Sequence, residues 1–196
     1  MNETSKAVKR RYNDPAFHLR YYSGHGIDIG SGADPLGRYV GQFARMTSCR
    51  GWDLKDGDAQ HLKGVDDNAY DFLNSSHCLE HLHDPWEGLR NWLRVVKPGG
   101  FVVVTVPDAD LYESMAWPSR WNADHKWLFS LGREMGVIPR MVNVLEMLRG
   151  DTVPPLASPE RIQLVRDFWD DSLAGTDQTL SANTESCIEF VLRKHG

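Results

Sequence analysis

Hydrophobic residues in the first half of the chain fall into short runs that are separated by polar and glycine-rich segments. Residues 26–29 contain two isoleucines and predict a first strand, and the β-branched apolar run at 101–106 is typical of a central parallel strand. Weaker runs at 48–54 and 69–77 predict two further strands between them. A proline in a favourable first-turn position predicts a helix over about 35–44.

The clearest helix prediction starts at Asp84. Asp84 is a suitable cap, Pro85 suits the first helical position, and Glu87 lies three residues after the cap. Apolar residues then recur at helical spacing until the Lys-Pro-Gly-Gly sequence at 97–100, which ends the helix. Strands and helices alternate from the first run to the last, which predicts a doubly wound α/β sheet.

The second half of the chain has a less regular pattern. Residues 108–127 are rich in Trp, Asp and His, and we interpret them as a long loop. We expect a helix within 130–137, a strand at 141–147, a capped helix over 158–173 and a final strand over 187–194.

The chain has 196 residues, which is enough for one domain with a substantial core. Residues 1–25 are polar and then aromatic, and we expect them to form a short helix or a lid over a ligand. Residues 26–196 would form a single domain, with an insertion around 108–130 that shapes a second binding site.

The net charge of −5 argues against a nucleic-acid partner. One small basic cluster is present, which we interpret as part of a solvated tail: Lys6, Lys9, Arg10 and Arg11. The three cysteines are too far apart in sequence to suggest a disulfide framework or a cysteine zinc site. With no apolar leader and no apolar stretch of ~18 residues, we expect a cytoplasmic protein without a membrane partner.

Four glycines occur in residues 26–37, directly after the first predicted strand. Glycine at such a turn lets the backbone approach a ligand closely. A dinucleotide-binding loop requires a third small residue where this chain has Pro35, and the Gly-Lys-Ser/Thr sequence of a phosphate-binding loop does not follow. An NAD(P)-dependent oxidoreductase therefore stays an alternative, but the loop matches another pattern better.

The segment Asp28-Ile-Gly30-Ser-Gly32 resembles the first motif of class I S-adenosylmethionine-dependent methyltransferases. Residues 70–108 resemble the later motifs of the methyltransferase-11-like group, including Ser-Ser-His-x-Leu-Glu-His and Arg-Val-x-Lys-Pro-Gly-Gly. The resemblance covers residues 26–108. It implies S-adenosylmethionine as cofactor and a Rossmann-like, mostly parallel sheet of the seven-stranded type with helices on both faces.

The resemblance also implies where the cofactor would bind. Asp28 would hold its ammonium group, Arg20 would meet its carboxylate, and Asp53, 21 residues after Gly32, would bind the ribose hydroxyls. The complete expected set of cofactor-binding residues is Arg20, Asp28, Gly30, Ser31, Gly32, Asp53, Leu54, Asp58, Ala59, Ser75 and His77. Within that set, Asp58 and Ala59 would flank the adenine.

Catalytic candidates lie in the segment 117–129, where similar enzymes place acceptor-binding residues. We expect His125 to remove a proton from the acceptor, with Asp124 as its polar neighbour. The alternative is that these two residues and Asn122 cap a helix that begins near Lys126. Methyl transfer from a sulfonium depends mainly on alignment, so the reaction does not always need a base.

The predicted activity is transfer of a methyl group to an oxygen or nitrogen atom of a small-molecule acceptor. Similar bacterial proteins with Asp-His-Lys-Trp segments resemble enzymes that decorate surface polysaccharides or nucleotide sugars, which suggests a sugar acceptor. Four aromatic residues of the long loop are compatible with a sugar or another flat ligand: Tyr112, Trp117, Trp121 and Trp127. A non-catalytic cofactor-binding module that binds a partner is the remaining alternative.

Residues 77–81 match the His-x-x-Glu-His pattern of one class of zinc hydrolases. Their position inside the methyltransferase-like segment argues against that function. A second alternative is a metal-dependent methyltransferase, since relatives of the ubiquinone-pathway type carry Glu-x-x-Glu-His here. His77, Glu80 and His81 would suit a softer cation than Mg²⁺. We predict no metal and keep both alternatives open.

Overall fold

The computed structural model describes residues 3–134, 136 and 138–196. The strands are β1 (Gly24–Ile29), β2 (Met46–Trp52), β3 (Tyr70–Ser76), β4 (Val96–Pro107), β5 (Leu128–Ser130), β6 (Met141–Asn143), β7 (Ala157–Val165) and β8 (Cys187–Lys194). The α-helices are α1 (Glu3–Tyr12), α2 (Pro15–Tyr21), α3 (Pro85–Val95) and α4 (Val144–Arg149).

Six of these strands form one sheet in the order β2-β1-β3-β4-β8-β7. The strands β1 to β4 are parallel, and β8 and β7 continue the sheet in antiparallel fashion. The short strands β5 and β6 pair with each other in a separate parallel ribbon. The predicted doubly wound, mostly parallel α/β fold is confirmed, and the main sheet has six strands in the described part of the chain.

The sheet is covered on both faces because successive strand residues point to opposite sides. In β3, Leu73 packs into a large core that includes α3 residues such as Trp92. Its neighbour Phe72 packs on the other face with aromatic residues that include Phe17 and Tyr21 of α2. Helices therefore lie on both faces, as predicted.

Helix α3 begins as the sequence indicates. The Asp84 carboxylate accepts hydrogen bonds from the N–H groups of Trp86 and Glu87, both at 2.9 Å. The return bond of a capping box is made by another residue, because the Asp84 N–H donates to the Gln60 side-chain oxygen at 2.8 Å. The cap therefore also connects α3 to the loop that follows β2.

Several sequence-based predictions of secondary structure are wrong in type. Residues 36–42 form a 3₁₀-helix rather than an α-helix, and a Cβ atom on Gly37 would lie 2.4 Å from the carbonyl oxygen of Cys49 in β2. Gly37 therefore allows the segment to pack directly against the backbone of β2. The predicted helix over 158–173 is instead strand β7 and a short 3₁₀-turn, because β8 supplies a long pairing partner.

The stretch 130–137 contains no helix in its described residues, and Met135 and Val137 lie outside the described residues. Gly132 and Gly136 both have positive φ angles, which a right-handed helix does not allow. The strand predicted at 141–147 ends early, because Asn143 caps α4 by accepting from the N–H groups that follow it. The final strand is confirmed as β8, with the predicted bounds.

The N-terminal segment forms α1 and α2, and its basic cluster is not the solvated tail that was predicted. Arg11 is buried, and Lys6 donates to Glu3 at 2.8 Å and to the Gln178 carbonyl at 3.1 Å. Arg10 forms an ion pair with Glu185. Carboxylates of α1 itself and of the C-terminal strand region explain why these cations can be buried. Among the described residues, no helix has the length and apolar character needed to traverse a bilayer.

Candidate active site

The glycine loop lies where the strand order of the sheet reverses, at the carboxyl ends of β1 and β3. The two glycines after β1 have different environments. Gly30 has a φ of 73°, and a Cβ atom there would lie 2.6 Å from the Cβ of Cys78. Gly32 has a φ of 50°, and its nearest non-adjacent atom would be the Gly30 carbonyl oxygen at 3.9 Å. Gly30 is required by packing, whereas Gly32 faces open space.

A cavity of about 150 Å³ lies over this loop. Its lining consists of two residues of α1, the glycine loop and the end of β3: Glu3, Thr4, Gly30, Ser31, Gly32, Ala33, Asp34, Ser76 and His77. Asp34 holds α1 in place by accepting a hydrogen bond from the Ser5 N–H at 2.8 Å. Helix α1 therefore covers the glycine loop directly.

Asp28 does not occupy the position expected for an ammonium ligand. The carboxylate is buried, and its two oxygens accept from the Leu36 N–H at 2.7 Å and from Asn74 Nδ2 at 2.6 Å. Burial raises the pKa of Asp28 to about 6, although these hydrogen bonds act in the opposite direction. Asp28 lies outside the cavity lining. Its two hydrogen bonds instead anchor the segment of the glycine loop to the neighbouring strand β3.

The loop after β2 lies next to the glycine loop. The Trp52 carbonyl accepts hydrogen bonds from the N–H groups of Gly30 and Ser31, at 2.9 and 3.2 Å. Asp53 is the next residue and therefore lies beside the glycine loop. Its Oδ1 accepts a hydrogen bond from the Leu54 N–H at 2.8 Å. Leu54 is 92% exposed. These two residues are available to a ligand that extends from the cavity.

The two residues predicted to flank the adenine differ in their surroundings. The Asp58 side chain is exposed, and its Oδ1 accepts from the Gln60 N–H at 2.7 Å. Ala59 packs against the main core, and its carbonyl accepts from the Trp92 indole N–H at 2.8 Å. Asp58 is therefore the more accessible of the two.

At the end of β3, Ser76 lines the cavity, whereas the predicted cofactor-binding residue Ser75 does not. The Ser75 hydroxyl is buried and donates to the Ile29 carbonyl at 3.2 Å, so it connects two strands. Ser76 was not predicted, yet it lines the cavity, and its Oγ has no hydrogen-bond partner among the described residues. The alternation of side chains along a strand separates these neighbours.

His77, one of the predicted cofactor-binding residues, lines the cavity and adopts a φ of 54°. Its N–H donates to the Thr105 carbonyl at 2.9 Å. Burial acts to lower the pKa of His77, but the carboxylates of Glu80 and Glu3 outweigh it and raise the pKa above its usual value. The imidazole therefore places positive charge near the start of α1 when it is protonated.

Arg20 is far from the site that the resemblance implied. Its guanidinium pairs with Glu160 at 2.8 Å and stacks 5.4 Å from the centre of the Phe101 ring. Phe101 pairs with Phe72, near the amino ends of the parallel strands. The predicted contact with the cofactor carboxylate is therefore wrong, because α2 directs Arg20 to the edge opposite the glycine loop.

The predicted catalytic pair is also separated. The His125 imidazole is buried, and its Nδ1 lies 2.6 Å from Glu113 Oε1. Asp124 is exposed and pairs with His81 Nδ1 at 3.0 Å and with Lys126 at 3.1 Å. No helix begins near Lys126, because β5 starts at Leu128. Glu113, the actual partner of His125, lies in an irregular loop that gave no signal in the sequence.

Family and structural comparisons agree with this arrangement. Residues 14–104 match a family model described as a methyltransferase domain. A segment of 58 residues, 30% of this chain, is 38% identical to an uncharacterized methyltransferase, C1B3.06c, of Schizosaccharomyces pombe. The matched segment spans 20% of that relative's length.

Two solved structures share the fold. One is a structure reported for the conversion of a disulfide bond into a thioacetal group during echinomycin biosynthesis. Its TM-score is 0.63 at 15% identity, and the match covers 100% of this chain and 92% of the other. The second is an S-adenosylmethionine-dependent methyltransferase from Archaeoglobus fulgidus, with a TM-score of 0.60, 18% identity and coverage of 98% and 94%. At these identities, the similarity defines the fold alone.

The sheet, the glycine loop at its switch point and the cavity above that loop define a Rossmann-like α/β fold with a cavity at the usual ligand position. The family match is more specific, because residues 14–104 match a methyltransferase domain.

Proposed function

We propose that this protein binds S-adenosylmethionine below α1 and transfers its methyl group to an oxygen or nitrogen atom of a small acceptor. The observation that carries the proposal is the cavity over the glycine loop, at the switch point of the sheet. Gly32 contributes open space at this point, where a ligand can approach the backbone.

In this proposal the methionyl part of the cofactor lies against the glycine loop and His77. Its ribose reaches Asp53, whose carboxylate can accept hydrogen bonds from two adjacent hydroxyl groups. The adenine lies near Asp58. This path follows the carboxyl edge of the sheet from β1 towards β2, whose adjacent loops are joined through the Trp52 carbonyl.

The reaction requires little from the protein except alignment. A lone pair on the acceptor atom forms a bond to the methyl carbon, and the carbon–sulfur bond breaks with its electron pair on sulfur. The leaving group is a neutral thioether, and the acceptor loses a proton to solvent or a nearby base. Holding the nucleophile, methyl carbon and sulfur in line is therefore the main contribution.

The loop over 108–127 is the proposed acceptor side of the site. Trp117 and Trp121 are half-buried, and the Trp121 indole N–H donates to the Tyr112 carbonyl at 3.0 Å. Rigid aromatic surfaces of this kind suit the face of a sugar ring. A sugar or nucleotide sugar, as used in surface-polysaccharide synthesis, is the acceptor class that we would test first.

Calorimetry with S-adenosylhomocysteine tests the cofactor part of the proposal. We expect the wild type to bind and Asp53→Ala to lose ~1–3 kcal/mol, because hydrogen bonds to a charged acceptor are removed. Asp66→Ala is the matched control, since Asp66 is an exposed carboxylate on the following loop. Equal affinity in Asp53→Ala and Asp66→Ala would exclude Asp53 from the ribose site.

Calorimetry and a methyl-transfer assay together distinguish two other functions. An NAD(P)-dependent oxidoreductase would bind NAD or NADP and ignore S-adenosylhomocysteine. A non-catalytic module would bind S-adenosylhomocysteine but transfer no radiolabelled methyl group to any acceptor in a panel of sugars, phenols and amines. Labelled product that depends on the acceptor would support methyl transfer and rule out both.

A further inference from the structure

A buried carboxylate without hydrogen bonds lies behind His77. Glu80 sits in the 3₁₀-turn of Leu79–His81, its side chain is 0% exposed, and neither of its oxygens has a hydrogen-bond partner among the described residues. A buried, unsatisfied carboxylate is strongly unfavourable in a folded protein. Some compensating partner is therefore expected at this position.

Imidazole nitrogens surround Glu80 at a distance that is too long for hydrogen bonds. His81 Nε2 lies 3.9 Å from Glu80 Oε1, and His125 Nε2 lies 4.0 Å from the same oxygen. One ligand atom from each of these three side chains lies within 4.8 Å of the other two. This spacing would allow the three side chains to share a single ion.

Each of the two imidazoles contacts a carboxylate other than Glu80 through its Nδ1 atom, and this contact orients the ring. His81 Nδ1 lies 3.0 Å from Asp124 Oδ2, and His125 Nδ1 lies 2.6 Å from Glu113 Oε1. A carboxylate only accepts hydrogen bonds, so each Nδ1 carries the proton. In the neutral ring, the lone pair on Nε2 then faces Glu80. Histidine ligands of metal ions are commonly held by a carboxylate in this way.

We propose that Glu80, His81 and His125 bind one divalent transition-metal cation, with Zn²⁺ as the best match. Two imidazole nitrogens and one carboxylate oxygen form a donor set that suits Zn²⁺ better than Mg²⁺ or Ca²⁺, which prefer oxygen ligands. The ion would neutralise Glu80 and satisfy its empty hydrogen-bonding capacity. Sequence reasoning grouped His77 with Glu80 and His81, whereas the structure brings in His125.

The protein backbone holds the three ligands together before any ion binds. The N–H groups of Lys126 and Trp127 donate to the Glu80 carbonyl at 2.8 and 3.2 Å. These bonds fix the residues after His125 against the turn that carries Glu80. The His81 and His125 rings pack edge to face, with their centres 4.9 Å apart. Little rearrangement is therefore needed for coordination.

The proposed ion also has a role that rests on the proposed methyltransferase function. Three protein ligands leave the fourth position of a tetrahedral ion free for a water molecule or an oxygen atom of the acceptor. His77 lines the cofactor cavity and its Nδ1 lies 3.6 Å from Glu80 Oε1, so the site adjoins that cavity. An acceptor oxygen on the ion would be held near the methyl donor and would lose its proton more easily.

Metal binding can be tested without any enzymatic assay. The full chain is stripped with a chelator, and Co²⁺ is titrated as a spectroscopic substitute for Zn²⁺, followed by measurement of zinc content after dialysis. We expect one ion per chain and visible absorption bands of tetrahedral Co²⁺. His125→Ala should abolish the bands, and Glu113→Gln should weaken binding roughly 10–100-fold.

His83→Ala is the matched control, because His83 is an exposed imidazole two residues from His81. It should bind the ion like the wild type. Far-ultraviolet circular dichroism checks that each variant is folded. If His125→Ala does not fold, Glu113→Gln replaces it as the variant that tests metal binding. Absence of stoichiometric binding in the wild type, or equal binding by wild type and folded ligand variants, would overturn the proposal. Calorimetry with S-adenosylhomocysteine is independent, so failure of either proposal can be recognised separately.

Discussion

Gly30 and Gly32 illustrate how two residues of one motif meet different requirements. A side chain at Gly30 would collide with Cys78, which belongs to the protein itself. A side chain at Gly32 would meet no neighbouring protein group, so the space beside it is available to a ligand. The two positions therefore separate the effect of a substitution on folding from its effect on cofactor binding.

Gly32→Ala should weaken S-adenosylhomocysteine binding at least tenfold, because its methyl group occupies space that the cofactor needs. The positive φ angle adds a folding cost of about 1–2 kcal/mol. Gly64→Ala is the matched control, since Gly64 also has a positive φ and open surroundings but lies outside the glycine loop. Calorimetry and urea unfolding of both variants make the comparison. Equal binding by Gly32→Ala and the control would show that the cofactor does not approach this backbone.

At the scale of secondary-structure elements, one buried polar network joins α1 to the sheet. Arg11 of α1 donates to Glu189 of β8 at 2.6 Å, to Thr105 of β4 at 2.9 Å and to Asn74 of β3 at 3.2 Å. Asn74 in turn donates to Asp28 below the glycine loop. The position of α1 over the cavity above the glycine loop is therefore coupled to residues far from it in sequence.

This network predicts a specific pH dependence of stability. Burial alone would raise the pKa of Glu189, but the charges of Arg11 and Arg10 hold it at about 2, below the usual 4.5. The unfolded chain therefore takes up this proton first as the pH falls. The stabilisation from ionised Glu189, on the order of 3 kcal/mol, is complete above pH 4.5 and is lost between pH 4.5 and 2.

Glu189→Gln should lower the free energy of unfolding by ~3–5 kcal/mol at pH 7, because it leaves Arg11 buried without its charged partner. The difference from the wild type should shrink as the pH falls from 4.5. Urea unfolding at a series of pH values measures both effects. Glu160→Gln, which removes the partner of the exposed Arg20, is the control and should change little. If the free energies of unfolding of the wild type and Glu189→Gln differed by the same amount at every pH, the low pKa of Glu189 would be contradicted.

At the scale of the whole molecule, cofactor binding should stabilise the folded state. The proposed site joins α1 to the loops after β1, β2 and β3, so the unfolded chain cannot reproduce it. At a ligand concentration of 100 times the Kd, the free energy of unfolding should rise by ~2.7 kcal/mol. Thermal and urea unfolding with S-adenosylhomocysteine, and with NAD as the comparison, measure this shift. A shift with NAD alone would favour the oxidoreductase alternative.

Local sequence patterns identified the elements whose signals depend on adjacent residues. Asp84 and Pro85 marked the start of α3, and the apolar run at 101–106 marked β4. The glycine loop with Asp53 pointed to the family that the family match then confirmed. In these cases capping, side-chain branching and backbone freedom act within a few residues, so the sequence alone contains the relevant physics.

Tertiary structure decided what depends on partners that are distant in the chain. Residues 157–165 became a strand because β8 offers a paired edge, and Arg20 was directed away from the cavity by α2. The Glu80, His81 and His125 cluster exists because backbone hydrogen bonds draw one loop against another. Sequence determined the family and the glycine loop, whereas long-range packing decided which charged side chains meet, since no local pattern encodes that proximity.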